Sequence, residues 1–260
     1  DYSNVYIDKE DFIYTTVRTS ENSLKELKKL NPLGINILRA SGGRGYAYPS
    51  NDYGDHPVVY VNGQSKVDSV FVDIHVDGEG YITALDSSRG KLFQYDQESN
   101  LLFAFGARGD QKGAFKEPAA GENFNGRLIV LDAAKNNITV FALTSFGAAV
   151  REALSLYNDG LYEEALEPWR EVLRRDSNYL LAYVGLGKAY YQMGDYANAM
   201  KYFRLGYAKD DYSDAYKAHY TEVLRQRFDA ILLAAAGLYL LYRLYRSRKR
   251  IAALLGGFAQ

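Results

Sequence analysis

The apolar and polar positions of the chain follow two different periods, one in each half. In the first half, short β-branched and aromatic runs are separated by Asn, Asp, Gly and Ser, a pattern typical of antiparallel strands. The clearest stretch, Val70–Gly106, predicts four strands at 70–76, 80–85, 91–95 and 101–105. Each has the usual strand length of about five or six residues, so we expect this half to be all-β.

The strand pattern repeats along the first half. Gly80–Asp86 aligns with Gly126–Asp132 at a spacing of 46 residues, and Ile7–Ile13 resembles Val76–Ile82 at a spacing of 69. We assign the longer spacing to a loop insertion in the Gly- and Tyr-rich stretch Ser41–Ser65. Units of four strands that repeat about every 40–50 residues are typical of the blades of a β-propeller.

One of these units resembles an NHL repeat. The matching segments are Asp73–Ile82, Lys91–Asp96, Phe105–Phe115 and Pro118. The resemblance implies a partial NHL-type β-propeller of about three blades at residues 1–145. Because a closed propeller has about four to eight blades, we expect the remaining blades to precede Asp1.

In the second half the apolar positions follow a helical period and repeat every 34 residues. Four positions recur at this spacing, in the pairs Gly160/Gly194, Tyr162/Tyr196, Ala165/Ala199 and Trp169/Phe203. The pattern resembles the tetratricopeptide repeat, a helix pair in which small residues permit close crossing and aromatic residues fill the seam. The resemblance implies a two-repeat α-solenoid at residues 146–227, capped by a helix at Asp214–Phe228.

The tetratricopeptide resemblance also implies a groove along the inner face of the first helix of each repeat. On this face we place Asn158, Lys188, Tyr191 and Gln192 as the candidate site for a protein or peptide partner. Two repeats give a short groove, so a purely structural spacer is the alternative. The 24 tyrosines of the chain are compatible with stacking on carbohydrate or peptide and equally with filling the core.

An apolar stretch follows the helical repeats. Ala230–Tyr242 has 13 residues without a charge, and the 18 residues from 228 to 245 would span roughly 27 Å as a helix, close to the thickness of a hydrocarbon core. Tyr239, Tyr242 and Tyr245 lie at its end, and the basic run Arg243–Arg250 follows, as at a cytoplasmic membrane surface. We predict a transmembrane helix at 228–246, with residues 1–227 outside and a cytoplasmic basic tail at 247–260. A capping helix in a soluble protein is the alternative.

Charge and composition narrow the classes of function. The first 224 residues carry 24 Lys/Arg against 31 Asp/Glu, which is −7, and the remainder carries seven against one, which is +6. An acidic body argues against nucleic-acid binding, and a basic end favours an anionic membrane surface. Since the chain has no cysteine, disulfides, thiolate metal sites and cysteine nucleophiles are excluded.

The remaining candidate residues favour structural roles. His75 is expected to face away from the side of the sheet on which Ile74 and Val76 pack, while His56 lies in the insertion and His219 on a helix. Four carboxylates at strand ends are expected to accept backbone N–H bonds; they are Asp73, Asp77, Asp86 and Asp132. Gly42–Gly45 lacks the Lys-Ser/Thr of a phosphate loop. We therefore expect no enzyme activity, no cofactor and no metal.

The order of the segments resembles membrane-anchored NHL–tetratricopeptide proteins of Gram-positive bacteria, some of which continue into a Yip1-type domain. This resemblance implies an extracytoplasmic binding or scaffold protein whose partner is a protein, with a transporter or cell-wall component as candidates. The alternative is a propeller lyase or lactonase whose metal site lies mostly in the missing blades.

Overall fold

The computed structural model describes residues 2–17, 27–38, 53–55, 58–59, 66–67 and 69–256. Gly42–Gly45, His56 and most of the Ser41–Ser65 insertion lie outside these residues, as do residues 257–260 of the predicted tail.

Strands occupy the first half of the described chain and helices the second. The strands are β1 (Tyr2–Ile7), β2 (Ile13–Val17), β3 (Leu27–Leu30), β4 (Val58–Val59), β5 (Lys66–Val67), β6 (Phe71–Val76), β7 (Ile82–Asp86), β8 (Lys91–Tyr95), β9 (Leu101–Phe105), β10 (Pro118–Phe124), β11 (Arg127–Asp132) and β12 (Asn137–Phe141). The helices are α1 (Ser145–Asn158), α2 (Tyr162–Arg175), α3 (Leu180–Gln192), α4 (Tyr196–Leu205) and α5 (Lys209–Gly256).

The strands form antiparallel sheets of consecutive strands. We call them the first sheet (β1–β3), the middle sheet (β6–β9) and the last sheet (β10–β12); β4 and β5 form a short separate pair. The four strands predicted between residues 70 and 106 are confirmed as β6–β9, except that β7 begins at Ile82 because residues 77–81 form the preceding turn. The described sheets do not close into a barrel or a ring.

One type of turn joins strands in both the first and the middle sheet. At Asp77, Oδ1 accepts the backbone N–H groups of Glu79 and Tyr81 at 3.1 and 3.0 Å, and Gly80 adopts a φ of 87°. An Asx side chain supplies the acceptors that such a turn needs, and Gly tolerates the left-handed conformation. The same pattern of donors recurs at Asp8, Asn31 and Asp96.

The three larger sheets meet along their first strands. β6 lies beside both β1 and β10, and the buried carboxylate of Asp73 joins all three: it accepts the side-chain amide of Asn4 and, at 2.6 Å, the backbone N–H of Gly121. Apolar clusters fill both faces of the middle sheet. Ile74 shares one with Tyr14 of the first sheet, and Leu92 shares the other with Val130 of the last sheet.

The four shorter helices pack in chain order, most extensively as the pairs α1–α2 and α3–α4. Trp169 of α2 and Phe203 of α4 are buried, and both rings lie on α3. A Cβ atom added at Gly185 would come within 2.3 Å of the Trp169 ring, and one at Gly187 within 2.5 Å of the Phe203 ring. Because residues two apart in a helix point about 200° apart, the two glycines admit one ring on each side of α3.

The helices are docked on the middle sheet. Leu102 of β9 shares an apolar cluster with Val150 of α1 and Leu186 of α3. The phenolic O–H of Tyr179, just before α3, donates to the carbonyl of Leu102 at 2.7 Å. The β and α halves of the chain are therefore packed together rather than joined only by a linker.

Helix α5 is continuous over 48 residues, from Lys209 to Gly256. Its first turns pack on α4 through Tyr212 and Ala215, so the capping helix begins five residues before the predicted Asp214 and does not end at Phe228. The part from Lys209 to Arg248 contains a window with a mean hydropathy of 1.4, none of it buried, so it is long and apolar enough to cross a membrane.

Candidate functional site

A cavity of about 510 Å³ lies where the middle sheet, the last sheet and the start of α1 meet. Its apolar wall comes from both sheets and includes Phe103, Phe105 and Phe141. Its polar wall comes from the middle sheet, from the β6–β7 turn and from α1. The size falls within the range of about 300–1,000 Å³ that is usual for small-molecule sites.

The polar wall is built by strand register. His75 pairs with Thr83 across β6 and β7, and Thr83 pairs with Gln94 across β7 and β8. Directly opposed residues of antiparallel strands project to the same face, so these three side chains form a row. Gln94 Nε2 donates to Thr83 Oγ1 at 2.9 Å. The row lies on the face opposite Ile74, as the alternation of β6 predicts.

Arg151 of α1 connects the helix to this row and to the β6–β7 turn. Its guanidinium donates to Gln94 Oε1 at 2.8 Å and pairs with Asp77 Oδ2 at 2.7 Å and Glu79 Oε2 at 3.3 Å. The guanidinium carbon also lies 4.3 Å from the centre of the Tyr81 ring, and burial raises the pKa of that phenol to about 12. One cation thus contacts four side chains that precede it in the sequence by more than fifty residues.

Replacing Arg151 with methionine is expected to lower the free energy of unfolding by about 2–3 kcal/mol. The Asp77 side chain is only 6% exposed, so its carboxylate would lose a charged partner that little solvent can replace. Arg174→Met is the matched control, because the Arg174 side chain is 57% exposed while its guanidinium pairs with Glu167 at 2.7 Å, and exposed pairs contribute at most about 1 kcal/mol. Equal losses in denaturant unfolding would contradict the assignment.

His75 is buried, with 4% of its surface exposed, and lines the cavity. Its ring makes no hydrogen bond to any residue in the described part of the chain. Burial lowers the pKa of His75, and Arg151 lowers it further, while Glu122 and Asp77 act in the opposite direction. The imidazole is therefore held in its neutral form.

Stability is expected to fall on acidification because of His75. Below about pH 6.5 the unfolded chain binds a proton at this imidazole, while the folded chain, with its lowered pKa, resists it. The unfolded state then binds more protons, so the free energy of unfolding decreases as the pH falls. Thermal unfolding from about pH 7.5 to about pH 5.5 should show a smaller decrease for His75→Gln; the same decrease in both proteins would refute the assignment.

Of the four residues predicted to line one groove, two line a common cavity and two do not. Asn158 and Lys188 line a second cavity, of about 100 Å³, together with turns of the middle sheet. Lys188 Nζ pairs with Glu98 Oε2 of the β8–β9 turn at 3.0 Å. Tyr191 and Gln192 are not part of this lining; the Tyr191 ring packs edge-on against Tyr196. The sheet thus covers part of the inner face of α1 and α3.

The strand-end carboxylates accept backbone N–H bonds, as predicted. Asp86 accepts the backbone N–H of Val70, and Asp132 accepts those of Lys116 and Glu117. Each carboxylate thus binds the segment that leads into the first strand of its own sheet. Asp77 does the same in its turn but also binds Arg151, which sequence reasoning did not predict. Among the described residues, no group of three or more His, Asp or Glu side chains is placed to hold a metal ion.

The large cavity is the feature that sequence analysis missed. The available signal was the alternation of the strands: His75, Thr83 and Gln94 each lie between two apolar neighbours that face the other side of the sheet. Neither a scan against protein-family models nor a search of curated proteins finds a match to this sequence.

Proposed function

We propose that the chain is a membrane-anchored extracytoplasmic binding and scaffold protein. In this proposal the three sheets are NHL-type blades of a propeller, and α1–α4 are two tetratricopeptide repeats. The four-stranded antiparallel order of the middle sheet and the equivalent burial of Trp169 and Phe203, 34 residues apart, support these two assignments.

The observation that carries the proposal is the continuity of α5. Its first turns pack on α4. Apolar side chains later in the same helix are exposed, Leu233 by 74% and Leu238 by 69%. A capping helix would bury such residues against the repeats. A helix that enters a hydrocarbon core instead exposes them to lipid, and about 18 such residues suffice to cross it.

The outward orientation rests on charge. The basic cluster Arg243–Arg250 follows the apolar stretch, and basic residues concentrate on the cytoplasmic side of membrane helices. The packed sheets and helices would then stand outside the membrane. Since α5 has no break between α4 and the apolar stretch, they would be held at a fixed angle to it.

The partner-binding part of the proposal places a protein or peptide on Asn158, Lys188, Tyr191 and Gln192. The double variant Lys188→Ala, Tyr191→Ala is expected to lose a partner that co-purifies with the wild-type protein from detergent-solubilised membranes, with helicity unchanged. Arg174→Ala, on an exposed face of α2, is the control and should retain the partner. An unchanged set of partners in the double variant would support the spacer alternative.

A further inference from the structure

We propose that the 510 Å³ cavity between the middle sheet, the last sheet and α1 binds an uncharged, largely apolar molecule that carries a hydroxyl group. Its apolar body would lie among the phenylalanines and its hydroxyl at His75 and Thr83. This small-molecule site is separate from the partner-binding residues at the end of α1 and on α3, and it goes beyond the proposed anchoring.

The apolar wall sets the character of the ligand body. The ring centres of Phe103 and Phe105 are 6.2 Å apart, and those of Phe105 and Phe141 are 5.2 Å apart. Leu128 and Phe146 extend the same surface. Aromatic side chains arranged in this way favour the burial of a flat or branched hydrocarbon body.

The charges of the cavity disfavour an anionic ligand. Arg151 is the cation among the residues that line it, and its guanidinium is already engaged by Gln94, Asp77 and Glu79. Counted together, Arg151, Asp77 and Glu79 carry a net charge of −1. A carboxylate entering the cavity would therefore meet no available positive group and would lose its hydration without compensation.

A cationic ligand is also disfavoured at the buried end of the cavity. The charge of Asp77 is already paired: Oδ1 accepts the backbone N–H groups of the turn, and Oδ2 lies 2.7 Å from the Arg151 guanidinium, although it accepts no hydrogen bond there. Glu79 is 67% exposed and belongs to the mouth, where water screens its charge. An ammonium group placed beside His75 would thus have no buried counter-ion.

The polar groups that remain available at the buried end are neutral. A neutral imidazole offers one donor and one acceptor, and Thr83 keeps its own O–H to donate because its oxygen accepts from Gln94. His75 and Thr83 are directly paired across β6 and β7, so one hydroxyl can reach both. A hydroxyl donates one hydrogen bond and accepts two, which matches this pair of side chains.

The test compares three probes that share one apolar body: 2-naphthalenemethanol, 2-naphthylmethylammonium and 2-naphthoate. Binding is measured by calorimetry to the full chain in lipid nanodiscs, with empty nanodiscs subtracted to remove partitioning into lipid. The alcohol is expected to bind at least about 10-fold more tightly than either ion, since burying an unpaired charge is costly. Equal affinity for all three probes, or tighter binding of either ion, would overturn the proposal.

Variants locate the site. Thr83→Val removes one hydrogen bond while keeping the shape, and is expected to weaken binding of the alcohol about 3- to 10-fold. His75→Leu should weaken it similarly, while His75→Gln, which keeps a neutral donor and acceptor, should retain it. Arg174→Ala, on an exposed face of α2 and away from the cavity, is the control and should bind like the wild type. If Thr83→Val and His75→Leu both fold and bind the alcohol unchanged, the site is wrongly placed.

Discussion

Replacement of Trp169 by alanine is expected to lower the free energy of unfolding by about 3–5 kcal/mol, the usual cost of deleting a large buried aromatic ring. Trp169 is 1% exposed and lies against the backbone of α3 at Gly185. Its indole N–H has no acceptor among the described residues, so the loss would come from packing rather than from a broken hydrogen bond. Denaturant unfolding followed by far-ultraviolet circular dichroism measures it.

Phe124→Ala is the matched control for this deletion. The side chain is also a large aromatic ring, but it is 63% exposed, so its removal should change stability by about 0.5 kcal/mol or less. A loss below about 1 kcal/mol for Trp169→Ala would contradict the helical register. Deletion of a ring that is buried between α2 and α3 should lower the free energy of unfolding by more than that.

The double variant Leu232→Arg, Ala236→Arg is expected to release the protein from the membrane fraction. Both residues lie in the exposed apolar part of α5, and each arginine near the middle of a spanning helix costs about 2.5–3.5 kcal/mol on insertion scales. The two changes lie one helical turn apart, so they put both charges on the same face. Fractionation of cells followed by an alkaline carbonate wash measures the release.

The control for this variant uses the same helix and the same spacing. Tyr220→Arg, Leu224→Arg adds two charges four residues apart, before the apolar stretch, at positions 50% and 57% exposed. This protein should stay in the membrane fraction. If carbonate extracts the wild-type protein as well, α5 does not span, and the capping-helix interpretation replaces the anchor.

The local pattern of apolar and polar residues was sufficient to predict many of the strands and buried positions. The strands of the middle sheet follow from runs of β-branched and aromatic residues bounded by Asp-Gly and Ser-Asn, because such turns set strand length locally. The 34-residue spacing pairs Trp169 with Phe203, and both rings are buried against α3, at Gly185 and Gly187 respectively. The orientation of His75 follows from the two-residue period of a strand.

Contacts between distant segments could not be predicted in this way. The Arg151 network depends on how α1 docks on the β6–β7 turn, and nothing in the local sequence of either element encodes that meeting. The tetratricopeptide pattern predicts an open groove, but Glu98 of the β8–β9 turn, 90 residues away in the sequence, pairs with Lys188. The predicted start of the last helix, Asp214, is five residues too late, because Lys209–Ser213 has one aromatic residue among charged and polar ones and shows no apolar period.

The topology of the membrane helix α5 decides on which side of the membrane the sheets and the shorter helices lie. With an epitope inserted after Gln260, protease added to intact cells should digest residues 1–220 and leave the epitope fragment intact, and permeabilised cells should lose both. This result would place the packed sheets and helices outside and the basic cluster inside. Loss of the epitope from intact cells, with residues 1–220 protected, would contradict the proposed orientation and with it an extracytoplasmic binding role.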